Sequence, residues 1–452
     1  MRVLLVHHGR FDADAPVTGG ALRAATHADA LRRAGHEVVT VARAQDEPGG
    51  FRSPGHLRRL ADRARPDWIL CVAPEEAPAL APVAPLVVDL YAPRMLEGAF
   101  EGLQREEAGR ALRAVAAADE VIVSNPRQRW FWAGLLGACG WDLSAPAGLL
   151  VPIAAHPGPP RRKTARPTFV LGGRPWPWQD PADAVRRAVA HLGDRAEVHV
   201  YGLPAPPGAH AHDAVPRAEW LDACAGAVAV LDRYAPNPER ALAQSFRQMD
   251  AVGCGAPLIT DADTPLADEV RETVAGWVDE PLEEALDAAL ARRPKGVAAL
   301  AARYHPERTE AALLAWVPRR RVRDWDLFRA GGRLARAEAE ARAAHAVAEA
   351  ARAEVAGKRA EIEALNQQVR ALASAVEASA AAVADVAAFR RETVQVLGAR
   401  LAGGDVDNER LLSQMEVLKA DLAKKDAELA AAQAERNRLD RTLAFLKGRI
   451  AR

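Results

Sequence analysis

Between residues 1 and about 315, short apolar runs alternate with stretches whose apolar residues recur at helical spacing. No other feature limits the fold as much. The runs at 3–6, 37–42, 67–72, 86–90 and 120–124 read as strands, and residues 19–34 read as an amphipathic helix stopped by Gly35. Strands separated by helices cannot pair through tight hairpins. They pair through crossovers, which makes a parallel sheet with helices on both faces. A Pro-rich basic stretch, HPGPPRRKTARP at 156–167, interrupts the alternation, and it resumes with runs at 169–172, 197–201, 228–231 and 257–260. The expected fold class is α/β, with two Rossmann-like domains over 1–155 and 168–318.

Beyond about residue 332 the composition changes to Ala, Glu, Arg and Leu, and proline disappears. Val355, Ile362, Val369, Val376 and Val383 recur every seven residues, with Leu365, Leu372, Ser379 and Val386 at the complementary positions. This heptad pattern predicts a coiled coil over 332–452. Two glycines near 402–407 and a phase change predict a break, after which the second helix folds back or sets off at an angle. Met415, Leu418, Leu422, Leu429, Leu439, Leu443, Leu446 and Ile450 continue the pattern, with Lys425 and Arg436 at core positions that weaken it. Exposed apolar stripes are costly in water, so homo-oligomerisation through this region is expected.

The chain has 452 residues, 49% of them apolar, and a formal net charge of zero. A sizeable core is available, and no global field recruits nucleic acid or an anionic membrane. Cys71, Cys139, Cys224 and Cys254 are far apart, which suits neither a disulfide framework nor a zinc site and fits a reducing cytoplasm. The opening apolar run is too short for a signal peptide, and no charge-free window of membrane-spanning length is found, so no span is expected.

The stretch 237–276 carries the densest chemistry. A charged helical segment at 239–251 runs into Gly253-Cys254-Gly255-Ala256-Pro257, then a buried strand, then an acidic loop. Polar groups thus gather at a strand end, where open α/β sheets bind ligands. Gly19-Gly20 opens the first helix. Small residues there let a ligand approach the backbone, and helix-start amides favour anions.

Gly19-Gly20-Ala21-Leu22-Arg23, then Gly35-His36-Glu37-Val38, resembles the opening of family 4 glycosyltransferases, which have the two-domain GT-B fold. The segment 237–276 resembles their donor-sugar-binding segment. Asp119-Glu120-Val121-Ile122-Val123-Ser124, Val88-Asp89-Leu90-Tyr91-Ala92-Pro93 with Glu97 after it, and Leu171-Gly172-Gly173-Arg174 with Trp178-Gln179-Asp180-Pro181 resemble further segments. The likeness covers about residues 1–315 and leaves the heptad region outside.

The resemblance implies transfer of a sugar, with retention, from a nucleotide-sugar in the second domain to an acceptor in the first. The nucleotide-sugar is a substrate; no cofactor is implied and no metal is strictly required. Gly19, Gly20 and Gly173 would let the donor approach. Arg174 would neutralise the departing diphosphate. Arg247 is either a second clamp or an ion-pair partner of Asp250 or Glu239. Asp250 would hold the ribose, or else be a helix-surface carboxylate, and Glu239 would bind ligand or serve as a first-turn acid. Asp263 and Thr264 are donor contacts or plain loop residues. On the acceptor side, His7, His8 and Asp89 are candidates for orientation or base catalysis. The family's pair of glutamates and its lysine are incomplete: Asp250 and the more distant Glu239 stand for the acids, and Trp176-Pro177-Trp178-Gln179 occupies the lysine's place. Arg240 and Arg247, with Arg174, are substitutes for the clamp.

His210-x-His212, without cysteine or an acid at ligand spacing, is read as no metal site. The basic runs at 161–163 and 319–321 read as solvated linkers or weak peripheral contacts with anionic lipid. The expected function is a cytoplasmic, bacterial glycosyltransferase acting on a polysaccharide, lipid-linked or protein acceptor. The alternative is a non-catalytic scaffold that works through its coiled coil. A sugar epimerase or dinucleotide oxidoreductase fits less well, because no Gly-x-Gly-x-x-Gly follows the first strand.

Overall fold

The computed structural model describes residues 1–9, 17–45, 49–173, 176, 178–321, 325–402 and 408–450. Among the described residues twelve strands form two six-stranded, wholly parallel sheets. In the first domain these are β1 (Arg2–His7), β2 (Glu37–Ala42), β3 (Trp68–Cys71), β4 (Leu86–Asp89), β5 (Glu120–Val123) and β6 (Leu149–Leu150), in the order β2-β1-β3-β4-β5-β6. In the second they are β7 (Thr168–Gly172), β8 (Glu197–Tyr201), β9 (His210–His212), β10 (Ala229–Asp232), β11 (Leu258–Thr260) and β12 (Gly276–Val278), in the order β12-β11-β10-β7-β8-β9. Val3, Leu4, Leu5 and Val6 are all fully buried, as a central parallel strand covered on both faces must be. These are two Rossmann-like domains of the GT-B type.

Residues 156–167 do not hang free between the domains. Gly158 donates its amide to the Gly253 carbonyl, and the Arg161 guanidinium donates to the carbonyls of Cys224 and Ala227. The chain later returns to the first domain. Leu313 lies in the core beside Val3, Leu5 and Leu31, and Trp316 packs edge-on against Trp68. Arg321 donates to the Cys139 and Ala118 carbonyls and lies over the Trp141 ring. Both basic runs are therefore partly spent on backbone carbonyls, while Arg162, Lys163 and Arg319 remain exposed.

Residues 340–452 form a separate compact unit. The helices Trp325–Ala402 and Asn408–Ile450 carry the heptad residues. Ser379 donates to the Ala432 carbonyl at 3.2 Å and Arg390 lies 3.8 Å from Asp426, so partners descend as the first helix ascends. The second helix folds back antiparallel. Leu365, Leu372, Val376, Leu422 and Leu429 are half-buried along the seam. Val347, Val355 and Ile362 stay 71%, 53% and 47% exposed. Lys425 is half-buried and reaches Glu428 at 2.6 Å, whereas Arg436 is exposed. Residues 403–407, where the break was expected, lie outside the described residues.

Among the described residues one helix, Ala339–Val396, is long and apolar enough to cross a membrane by length and composition, with mean hydropathy 1.5 in its best window. The cause is alanine: between residues 371 and 388 the charges are Glu377 and Asp385 alone.

Candidate functional site

The site is built where the first helix of domain one meets the helix Phe246–Gly253 of domain two. Thr18 caps the helix Gly19–Arg33, accepting a hydrogen bond from the Ala21 amide. A Cβ on Gly19 would stand 2.7 Å from Phe246 Cε2, and one on Gly20 would stand 3.1 Å from the Tyr91 hydroxyl. The glycines are what lets these rings reach the helix start. Tyr91 and Phe246 meet edge to face, and Phe100 stacks on Trp178, which stacks in turn on Trp176. Asn125 donates to the Leu242 carbonyl at 2.8 Å, and Arg127 donates to the carbonyls of Ala241 and Asp263, tying the domains together.

Arg247 lies in the first turn of Phe246–Gly253. Its guanidinium donates to Gln179 Oε1 at 3.0 Å, lies over the Tyr234 ring at 5.0 Å, and occupies the space that a Cβ on Gly173 would fill. Arg217, Arg233 and Arg240 each hold a carboxylate: Asp250, Asp261, and Asp232 with Asp261, respectively. Arg247 makes no ion pair among the described residues. Its Nε is buried without a hydrogen-bond partner.

Glu239 faces this cation, and Glu97 in turn faces Glu239. Glu239 is buried, and burial raises its pKa against the opposing pull of Arg247 and Arg240. Glu97, on the helix Arg94–Phe100, was quoted only as part of a sequence likeness. Burial first, and then the Glu239 carboxylate, raise its pKa to about 7. A carboxyl near neutrality suits proton transfer in either direction.

Several sequence expectations change. Asp89 was read as facing the ligand, but its carboxylate has no exposure and pairs with Arg23 at 2.8 Å and His27 at 2.9 Å. It ends a strand yet points into the domain, because Arg23 and His27 on the first helix lie over that strand end. His27 places its other ring nitrogen 2.6 Å from Glu310; burial disfavours its charged form, but the two buried acids prevail and raise its pKa. Asp250 was read as holding ribose. It is buried and held by Arg217 at 2.5 Å, so its acceptor capacity is engaged inside the domain. Arg247 pairs with neither Asp250 nor Glu239 within ion-pair distance. The helix expected over 239–251 begins only at Phe246; Asn237 Oδ1 accepts from the Arg240 amide and holds residues 237–240 in a turn instead. Thr264 is buried and donates to the Asp261 carbonyl, closing its own loop.

His7 is half-buried at the end of β1. His8 follows it and pairs with Glu75 at 3.1 Å and Glu76 at 3.3 Å. Burial works against its charged form, but hydrogen bonds to those two acids prevail and raise its pKa to about 9. Glu75 also faces Arg94, so His8 belongs to a charged chain leading toward Glu97. Asp263 is half-buried, with Oδ1 lacking a hydrogen bond and Arg240 Nε 3.8 Å away. Arg174 lies outside the described residues. The structure therefore gathers Gly19, Gly20, Gly173, Glu239 and Arg247, and adds Tyr91, Glu97, Gln179, Tyr234 and Phe246. Tyr91, Glu97 and Gln179 lie in the segments that carry the family likeness and Phe246 lies within 237–276, but only spatial convergence marks them as site residues, and Tyr234 has no motif at all.

No protein-family model and no curated protein matches the chain. Among solved structures, it is similar to Anabaena HepE in complex with UDP-glucose, at 13% identity, covering 70% of this chain and 98% of that one with a TM-score of 0.48. It is similar to Staphylococcus aureus TarM in complex with UDP, at 11% identity, covering 61% and 58% with a TM-score of 0.44. It is also similar to Thermobaculum terrenum O-GlcNAc transferase, at 15% identity, covering 70% and 64% with a TM-score of 0.40.

Proposed function

We propose that this chain is a glycosyltransferase that moves a sugar from a nucleoside diphosphate donor to an acceptor. The observation that carries the reading is Arg247: a guanidinium fixed by Gln179 and Tyr234 over Gly173, and in no ion pair among the described residues. A fixed cation outside any ion pair, whose facing acid Glu239 is pushed toward its neutral form by burial, fits an anionic ligand, and a departing diphosphate is one. The start of the helix Gly19–Arg33 contributes its positive end from the other domain. In this reading Glu97 exchanges a proton with the acceptor, as a carboxyl near neutrality can, and Glu239 meets the sugar hydroxyls. Retention, and an acceptor that is a polysaccharide, a lipid-linked glycan or a protein, rest on the family resemblance. So does a cytoplasmic site of action. No metal is required by this reading, since Arg247 and the helix start supply the positive charge.

Turnover of candidate nucleotide-sugars, measured for the wild type, Arg247→Ala and Glu97→Gln, tests the assignment. Loss of turnover in both variants, with native circular dichroism, is the expected result. Full turnover in both would remove these residues from the mechanism.

The spending of Asp89 and Asp250 on internal ion pairs favours one second reading, a GT-B-type scaffold without catalysis. It predicts no turnover with any donor and a function lost on deletion of residues 340–452. Self-association through the exposed stripe Val347, Val355 and Ile362 would serve either reading.

A further inference from the structure

The outer edge of the second sheet carries a cluster that the proposed reaction does not use. β8 reads Glu197-Val198-His199-Val200-Tyr201 and β9 reads His210-Ala211-His212. Alternation along a strand sends Val198 and Val200 into the core and leaves Glu197, His199 and Tyr201 on the opposite face. The parallel register sets His199 beside His210 and Tyr201 beside His212. The rings of His199 and His210 stack at 4.6 Å, and one ligand atom from each of Glu197, His199 and His210 lies within 4.8 Å of the others.

We propose that Glu197, His199 and His210 form a binding site for a divalent transition-metal ion, with zinc as the cation that suits it. Two imidazoles and a carboxylate are a zinc donor set that leaves a fourth position for water. Bonds of roughly 2.0–2.1 Å at tetrahedral angles put two ligand atoms about 3.3 Å apart. His199 Nε2 and Glu197 Oε2 are 3.2 Å apart. The other nitrogen of His199, Nδ1, lies 2.9 Å from His212 Nε2, and Tyr201 stacks on His212 at 4.3 Å. His212 is thus a positioning residue that fixes the tautomer and plane of His199, as outer partners of metal-bound histidines do. Arg166 holds the second oxygen, Glu197 Oε1, at 3.2 Å and is half exposed, so it can swing away as the ion enters. An ion here would pin the short edge strand β9 to its neighbour β8.

The test uses the untagged full-length chain, stripped with a chelator and then freed of it. Zinc chloride is titrated by calorimetry, cobalt(II) is added as a visible-absorbance probe, and melting is followed with and without zinc. One saturable equivalent, a zinc-dependent rise in melting temperature and a tetrahedral cobalt spectrum are expected. His210 is exposed, so His210→Ala should fold, and it should weaken zinc binding by at least about tenfold. His212→Ala should weaken it roughly tenfold to hundredfold while keeping the stoichiometry. His191→Ala, on a histidine paired with Asp287, should change nothing. Absence of saturable binding, or binding that His210→Ala and His199→Ala leave unchanged, overturns the proposal.

Discussion

At the scale of single residues, the account turns on which charges are neutralised within the fold. Arg240 and Arg217 are spent on carboxylates, and Arg247 is not. Removing a charge-assisted hydrogen bond costs about 1.5–3 kcal/mol, so Arg247→Ala should weaken nucleoside diphosphate binding roughly tenfold to hundredfold with little change in melting temperature. Isothermal calorimetry against the melting curve separates the two effects. Asp89→Ala should do the reverse. It strips the partner from a fully buried Arg23 and His27, a loss on the order of 3–5 kcal/mol that chemical denaturation will register. Arg23 and His27 together hold the Asp89 pKa low against its burial, so its stabilisation is present above the usual carboxylate range and is lost on acidification. Glu97 runs the other way. Its pKa of about 7 stands above the usual 4.5, so its contribution is complete below about 4.5 and disappears as pH rises through 7. Glu97→Gln should therefore gain melting temperature over the wild type at pH 8 and gain little at pH 5.

At the scale of elements, the glycines matter because of what they let approach. A methyl on Gly173 would take the place of the Arg247 guanidinium, the far end of a flexible side chain that can move aside. Gly173→Ala should leave the fold intact and weaken donor binding, seen as a raised KM with unchanged melting. A methyl on Gly19 meets a Phe246 ring instead and should disturb the domain junction itself. The central strands were readable because buried parallel strands are unbroken apolar runs. Three short strands were not: β6, β9 and β12 have two or three residues each, and neither Leu149–Leu150 nor His210–His212 shows any periodicity. The segment 239–251 has helical composition, yet Asn237 and the buried ion pairs of Arg240 hold its first part in a turn. Tertiary charge pairing overrode propensity there. His210 and His212 looked inert for a related reason: their neighbours Glu197 and His199 lie on another strand, and only the register joins them.

At the scale of the whole molecule, the alternating pattern was enough to foresee two parallel α/β domains, and the heptads were enough to foresee a long helical region. What it could not convey was which polar groups the fold consumes. Asp89 and Asp250 sit where a ligand contact would be read from position alone, but partners 62 and 33 residues away claim them. The helical unit allows a separate prediction. Lys425 lies half-buried in an apolar seam, so Lys425→Leu should raise the melting temperature of the helical transition without touching nucleotide binding. The central claim, a nucleoside diphosphate seated on Arg247, is tested most directly by one comparison. The wild type and Arg247→Ala are melted with saturating nucleoside diphosphates of each base. A ligand that binds the folded state alone raises the melting temperature by mass action. The account predicts that one nucleotide class stabilises the wild type and that the shift collapses in Arg247→Ala. Equal shifts in both proteins, or none with any nucleotide in a folded wild type, would contradict it.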